Sequence, residues 1–581
     1  MNPSPMTLEV VASVLFLGAS VAVFNMLWLP CPAPSPPRLD GPSPRRTYAV
    51  LAPADPPSLD SLYDDDVSLP ARSISVADYT LNVHLDVVKH ELYGEGSIHW
   101  TNRSASPVNK LFVHLYANAF KSKNTVFLAD RRPGGRGRGP IHSFGKADVE
   151  RFVIRQHGNQ NLWLSAQRAD EHHPDDETDM MIPLTSSIDP AEEIDIEVKW
   201  KVKLPSIVER MGYGGSFHMV AQWFPKLARL EQDGTFAHFS FDRLAEFYSD
   251  FGTYDVTISV PAGFVVGATG SRVSDEMHGD RRILRHVQSD VHDFAFAAYD
   301  GFEEQEEEVN GVRIRVLYPQ GYEDVARDQL ETASFGLGYF GKKYGAYPYK
   351  TLTIVHPPSE AIEAGGMEYP TLITTGGGWW ERGNVGSSRS LVLHELGHQY
   401  FYGLVATNER RWPFLDEGLT TWAEFDALRA GWNNSVFSFP GGGISSHTIL
   451  RHAGLPGGHD DIVAKSAADF TSGDAYGRLV YARTALIIET LNRVYRGKLS
   501  RALGRYARRY RYAHPGPEHL LAAVGSTAGP EAEKAMHTSL FDRGWIDVGI
   551  EDIVCESTSC TLSMVRRGNV VLPVDIEWLH A

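Results

Sequence analysis

Residues 391 to 403 read LVLHELGHQYFYG, two histidines four apart in an apolar run with a glutamate directly after the first. Serines just before the run suit an N-cap and Gly403 suits a stop, so SSRSLVLHELGHQYFYG predicts a buried helix of about four turns. On such a helix His394 and His398 stand one turn apart on one face, and both imidazoles can reach a single Zn²⁺ at about 2.0 to 2.1 Å. Glu395 is turned about 100° from them. It is badly placed as a ligand but well placed to lean over the metal's open position and take a proton from bound water. The bland alternative is a pair of satisfied core histidines, and two ligands alone leave a zinc site incomplete.

The next helical stretch supplies a third donor. In WPFLDEGLTTWAEFDALRAG (412 to 431), Pro413 and Asp416 suit a helix start and Gly431 its end, and Glu417 lies 19 residues after His398. Glu424 follows two turns later on the same face, where its alternative reading is a solvated surface carboxylate.

The rest of the chain sets the context. At 581 residues it exceeds one hydrophobic core and predicts several domains. A hydrophobic content of 43% with 22% charged residues argues against global disorder and against many membrane spans. The formal charge of -17 repels phosphate backbones, so no nucleic-acid partner is expected. The one basic cluster, DRRPGGRGRGP (130 to 140), reads as a solvated loop. Three cysteines rule out a disulfide scaffold or a cysteine zinc cluster. Cys555 and Cys560 can pair across a short hairpin or stay free, and the sequence leaves both open.

Composition divides the chain. Residues 1 to 29 contain VVASVLFLGASVAVFNMLWL (10 to 29), uncharged and long enough to span a bilayer, and are expected to be a transmembrane anchor or signal. Only Glu9 is charged before Arg38, which favours an uncleaved anchor over a secretory signal. The expected location is therefore the cell envelope, membrane-anchored through the N-terminal helix, with an extracytoplasmic catalytic domain. Arg38, Arg45 and Arg46 argue for the opposite orientation and leave the side of the membrane open. A proline-rich linker fills 30 to 73. Period-two alternation in YTLNVHLDV (79 to 87), IDIEVKWKVKLP (194 to 205) and YDVTISVP (254 to 261) marks a β domain over 74 to 303. Helical spacing dominates 304 to 547, and strand texture returns over 548 to 581.

With these motifs in order, the chain resembles the aminopeptidase N family of zinc metallopeptidases, within the gluzincin group. H-E-x-x-H, eighteen residues, then Glu is matched at His394, Glu395, His398 and Glu417. GGMEYP (365 to 370) resembles the family's exopeptidase motif and YARTA (481 to 485) its tyrosine motif, with Thr484 where Gly is common. AQWFPKLA (221 to 228) and EFYSDFGTYDVTISVP (246 to 261) extend the likeness over roughly residues 74 to 578.

The resemblance implies an α+β multidomain fold: a saddle-like N-terminal β domain, a thermolysin-like helical catalytic domain and an incomplete C-terminal β-sandwich segment. It implies one zinc per chain, peptide substrates, Glu395 as general base and Tyr481 as the oxyanion's phenol, with Tyr476 its rival. Glu368, in a loop with Gly365, Gly366 and Met367, is implied to hold the substrate's α-ammonium, with Gln222 reaching the same pocket and Glu424 supporting a zinc histidine. Longer members add a capping helical domain, so an open cleft, or an oligomeric or capping partner at the C-terminal edge, is expected. An endopeptidase or other hydrolase on the same zinc site, and a catalytically silent binding protein, are the competing readings.

Overall fold

The computed structural model describes residues 69–137, 139–376, 385–432, 435–439, 442–455, 461–544, 546–556 and 560–574. Its first half is built on a seven-stranded sheet. The strands are β1 (Ala77–Asp86), β2 (Glu91–Thr101), β3 (Lys146–Ile154), β4 (Glu193–Lys203), β5 (Gly252–Pro261), β6 (Ser271–His278) and β7 (Arg281–Val291), in the order β6-β7-β5-β1-β2-β4-β3. Only β1 and β5 pair in parallel, with Tyr79 opposite Tyr254. Period-two patterning explains which face is covered. Tyr79, Leu81, Val83 and Leu85 of β1 are buried, and Thr80, Asn82 and His84 between them are exposed. From the covered face projects Trp200 of β4, whose indole donates to the Trp223 carbonyl at 2.8 Å, and the Trp223 ring meets Phe296 of the smaller sheet that includes Phe217–Val220 and Phe296–Tyr299.

The second half opens with a four-stranded sheet, β8 (Phe302–Val309), β9 (Val312–Pro319), β10 (Thr351–Val355) and β11 (Leu372–Thr374), in that order. Helix α1 (Glu323–Tyr344) links β9 to β10, which pair in parallel as such a crossover requires. Two further helices, α2 (Val385–His398) and α3 (Glu417–Trp432), carry His394, Glu395 and His398 on the first and Glu417 at the start of the second. Glycines set the closeness of this layer: a β-carbon on Gly336 of α1 would lie 2.6 Å from Leu396, and one on Gly397 would lie 3.0 Å from Thr420 of α3. Residues near the chain's end form a hairpin, Val548–Cys555 with Cys560–Arg566, in which the two cysteines are disulfide-bonded. The architecture is α+β, β-rich first and helical around the HELGH segment.

The membrane expectation is corrected. No helix among the described residues is long and apolar enough to cross a membrane. The longest, α1, carries Glu, Asp, Arg and Lys along its length. Residues 10 to 29, which carried the expectation, lie outside the described residues, as does most of the proline-rich linker. Membrane attachment through an N-terminal helix, and the envelope location built on it, are dropped.

Helix α2 also ends earlier than Gly403. Beyond His398 the chain makes tight turns, with Gly403 N–H donating to the His398 carbonyl at 2.8 Å. Tyr402, at φ 124°, belongs to this turn, and Gln399 braces the neighbouring loop: its side-chain oxygen accepts from Thr371 N–H at 2.8 Å, and its amide donates to the carbonyls of Glu368 (3.3 Å) and Tyr369 (3.2 Å). That side chain satisfies backbone groups of a buried loop.

Candidate metal centre

The end of α2 and the start of α3 bring three lone-pair atoms to one point. His394 Nε2, His398 Nε2 and a Glu417 carboxylate oxygen lie 3.2 Å from one another on all three edges. Ligands about 2.0 to 2.1 Å from a tetrahedral metal stand roughly 3.3 Å apart, so the triangle has the size zinc requires. The far side of each ring fixes its tautomer. His394 Nδ1 donates to Glu424 at 3.0 Å, and His398 Nδ1 donates to Asp416 at 2.5 Å. Both Nε2 atoms therefore face the centre as acceptors, and a cation is what acceptors and a carboxylate share. His394, His398 and Glu417 are all buried. The cluster is consistent with a single zinc site.

The surrounding charge also favours a cation in the cluster, a proton where no metal is bound. Burial opposes a charge on His394, but its bonds to Glu417 and Glu424 win and push the imidazole up to about 10. Burial likewise opposes ionisation of Glu417, and the His398 and His394 charges and bonds override it, holding that carboxyl well below the usual range. The site is built to hold positive charge between these side chains.

Glu395, one residue past His394, is buried with one carboxylate oxygen that has no hydrogen-bond partner among the described residues. Burial raises it to about 8, against the pull of His394. Tyr481 donates its hydroxyl to the outer oxygen of Glu417, and its ring stacks on His394 with centroids 6.0 Å apart. It sits in a widened π turn, Gly477–Arg483, between the helices Gly473–Tyr476 and Thr484–Val494. Thr484, the departure from the family's glycine, packs on Gly418, where an added β-carbon would come within 2.5 Å. The space that one helix lacks is supplied by the other. Tyr476 is also buried, but its hydroxyl has no partner among the described residues.

The GGME loop is strapped to β11. Gly366 N–H donates to the Thr374 carbonyl at 2.9 Å and Thr374 N–H to the Met367 carbonyl at 2.7 Å. A β-carbon on Gly365 would lie 2.4 Å from the Thr375 carbonyl oxygen, and Gly366 has φ +72°. This turn buries Glu368 beside the cluster. Its carboxylate groups with His398 and Asp416, and also with Glu246 and Glu409, each group within 4.8 Å. Gln222, at φ 51°, donates its amide to Asp293, which also pairs with Lys226 at 2.7 Å.

Four participants escaped the sequence reading. Asp416 looked like a helix-start residue, and Glu246 and Glu409 are unremarkable in sequence. Arg136 belongs to the basic cluster expected to be solvated; instead it is partly buried, with its guanidinium 3.2 Å from the Tyr481 hydroxyl. Positive charge with glycine marks a loop but not what the loop touches.

No family model matches the chain. Relatives are found among aminopeptidases: Aminopeptidase M1 of Arabidopsis thaliana is 24% identical over 310 residues, half of this chain and 34% of that protein. Aminopeptidase M1-B of Oryza sativa subsp. japonica is 26% identical over 312 residues, with the same two shares. The chain thus spans about a third of the length of these relatives. In fold it is similar to an M1 zinc metallopeptidase of Deinococcus radiodurans, at 15% identity and TM-score 0.56, covering 82% of this chain and 95% of that one. The sequence likeness, the common fold and the His-His-Glu cluster agree, and the chain is a homologue of the M1 family of zinc aminopeptidases, of the gluzincin group.

Proposed function

We propose that the protein is a zinc-dependent aminopeptidase that removes N-terminal residues from peptides. The observation that carries this reading is Glu368, buried within 4.8 Å of the carboxylates of Glu246 and Glu409 and, in a second grouping, of His398 and Asp416. Within that group Glu246 is paired with Arg136 and Arg210, whereas Glu368 has no ion pair among the described residues, and a free α-ammonium would supply its cation at the distance of a single residue from the bond to be cut.

His394, His398 and Glu417 would hold the zinc, which when bound polarises the scissile carbonyl and acidifies a water. Glu395 takes the proton from that water and delivers it to the leaving amine, a task suited to a carboxyl raised by burial. Tyr481 donates to the carbonyl oxygen as negative charge develops on it. Asp416 and Glu424 keep both imidazoles in the ligating tautomer. Glu368 holds the ammonium and so sets where the substrate begins. A variant of the Deinococcus radiodurans enzyme has been solved with a Tyr-Ser-Ala substrate, and we extend peptides as the substrate class to this chain.

An endopeptidase on the same zinc site has no use for the carboxylate knot. Comparing an unblocked aminoacyl amide with its N-acetyl counterpart decides between them. The free substrate is expected to be cleaved and the acetylated one left nearly untouched, while Glu368→Ala slows the free substrate by roughly 10- to 100-fold at unchanged zinc content. Equal cleavage of both by the wild type sinks the aminopeptidase reading.

A further inference from the structure

Arg136 reaches the metal centre from the other half of the chain on a loop built for that purpose. Gly134, Gly135 and Gly137 take φ of +70°, +86° and +63°, a left-handed path that folds the backbone tightly around the arginine. The loop is docked on the helical half. Gly473 N–H donates to the Pro133 carbonyl at 2.8 Å, and a β-carbon on Gly473 would lie 2.2 Å from Gly135 N. Arg132 donates to the carbonyls of Ala467 (3.2 Å) and Phe470 (3.3 Å). Arg243 donates to the carbonyls of Arg136 at 2.5 Å, of Gly137, and of Phe127 at 3.0 Å.

So held, the Arg136 guanidinium has two nitrogens engaged. One donates to Glu246 at 3.1 Å; the other donates to the Tyr481 hydroxyl oxygen at 3.2 Å and lies 3.8 Å from the outer oxygen of Glu417. Resting on the aminopeptidase reading, we propose that Arg136 is a positioning residue for Tyr481: it occupies the phenol oxygen's acceptor side, so the one phenolic proton points into the metal centre. A phenol has a single proton and rotates it freely unless its lone pairs are claimed. Donation from a cation also polarises the O–H bond, making Tyr481 a stronger donor to the carbonyl oxygen in the transition state. Anchoring of a substrate carboxylate fits the surroundings less well, because Glu246, Glu209 and Glu417 crowd the guanidinium with negative charge.

The test is a double-mutant cycle on the zinc-loaded full chain, using an aminoacyl p-nitroanilide, which has no carboxylate. Arg136→Met is expected to lower kcat about 10- to 100-fold with little change in KM and one zinc retained. Arg136→Lys recovers part of the loss. Combined with Tyr481→Phe, Arg136→Met adds almost nothing, since its effect passes through the phenol. Binding gives a readout without turnover: Arg136→Met weakens an α-aminophosphonic acid, a tetrahedral mimic, about tenfold and leaves the planar product amino acid unaffected. Multiplicative kcat losses, wild-type kcat in Arg136→Met, or a defect confined to KM of substrates with a free C-terminal carboxylate would each overturn the proposal. Failure of the underlying reading shows separately, as a wild-type enzyme that ignores unblocked amides, and the phosphonate comparison still decides the role of Arg136.

Discussion

Asp416 Oδ1 lies 2.5 Å from His398 Nδ1, and the next residue, Glu417, faces Nε2 of the same ring at 3.2 Å. One turn of backbone at the head of α3 thus grips His398 from both sides. Asp416→Ala is expected to weaken zinc binding roughly 10- to 100-fold, because the ring loses the partner that fixes its tautomer and orientation. Competition against a graded chelator measures it. Unchanged affinity would mean that Thr420, whose hydroxyl is 3.2 Å from the same nitrogen, suffices.

Removing a ligand is harsher. His394→Ala and Glu417→Ala are each expected to lose both metal and turnover, since two remaining donors hold zinc poorly. Metal analysis of the purified proteins reads this directly. A full equivalent of zinc in His394→Ala would refute the ligand set.

Glu395→Gln separates chemistry from binding. The amide keeps the shape but cannot accept a proton, so zinc should stay at one equivalent while kcat falls roughly 10²- to 10⁴-fold. Loss of zinc in this variant would instead make Glu395 a structural support of the cluster.

The two tyrosines should part company. Tyr481→Phe removes a hydroxyl bound to Glu417 and Arg136, and is expected to lower kcat with KM little changed. Tyr476→Phe removes a buried hydroxyl without a described partner, so stability should hold or rise and kcat should not move. Reversal of the pair in steady-state kinetics would transfer the oxyanion role to Tyr476.

What the sequence made legible follows from distance along the chain. His394, Glu395 and His398 share one helix, so their geometry is fixed by a 3.6-residue period, and Glu417 follows at a motif's spacing. Period-two alternation likewise marked β1, β4 and β5, because each covers one face of a sheet. Arg136 and Glu246 lie far upstream of the zinc residues, and only the tertiary fold makes them neighbours of Tyr481 and Glu368. The end of α2 falls short of Gly403 because the backbone turns after His398, where Tyr402 takes φ 124°, a conformation that a tyrosine in the sequence does not announce.

The last prediction concerns acid stability, and its sign has to be worked through. His286 on β7 is buried, and burial, helped by Arg272 and Arg315, holds its imidazole down to about 4 from an ordinary 6.5. Between those values the unfolded chain binds a proton that the folded chain refuses, so the group's contribution is intact above pH 6.5 and is lost as pH falls towards 4. The full shift corresponds to about 3 kcal/mol, an upper bound for one site. His218 and His292, also held down to about 4 by burial, act in the same direction. Asp250 acts in the other: burial raises it to about 6, so its folded form keeps a proton that the unfolded chain releases, and acidification favours it over part of the same range. The wild-type profile therefore mixes opposing groups, and a single substitution isolates one. His286→Phe keeps a ring of similar size and cannot titrate. Its Tm should fall less than that of the wild type between pH 7.5 and pH 5, by several degrees for a stability change on the order of 1 to 2 kcal/mol. Parallel Tm curves for the two proteins over that range would show that His286 is not charged on unfolding and that the acid sensitivity lies elsewhere.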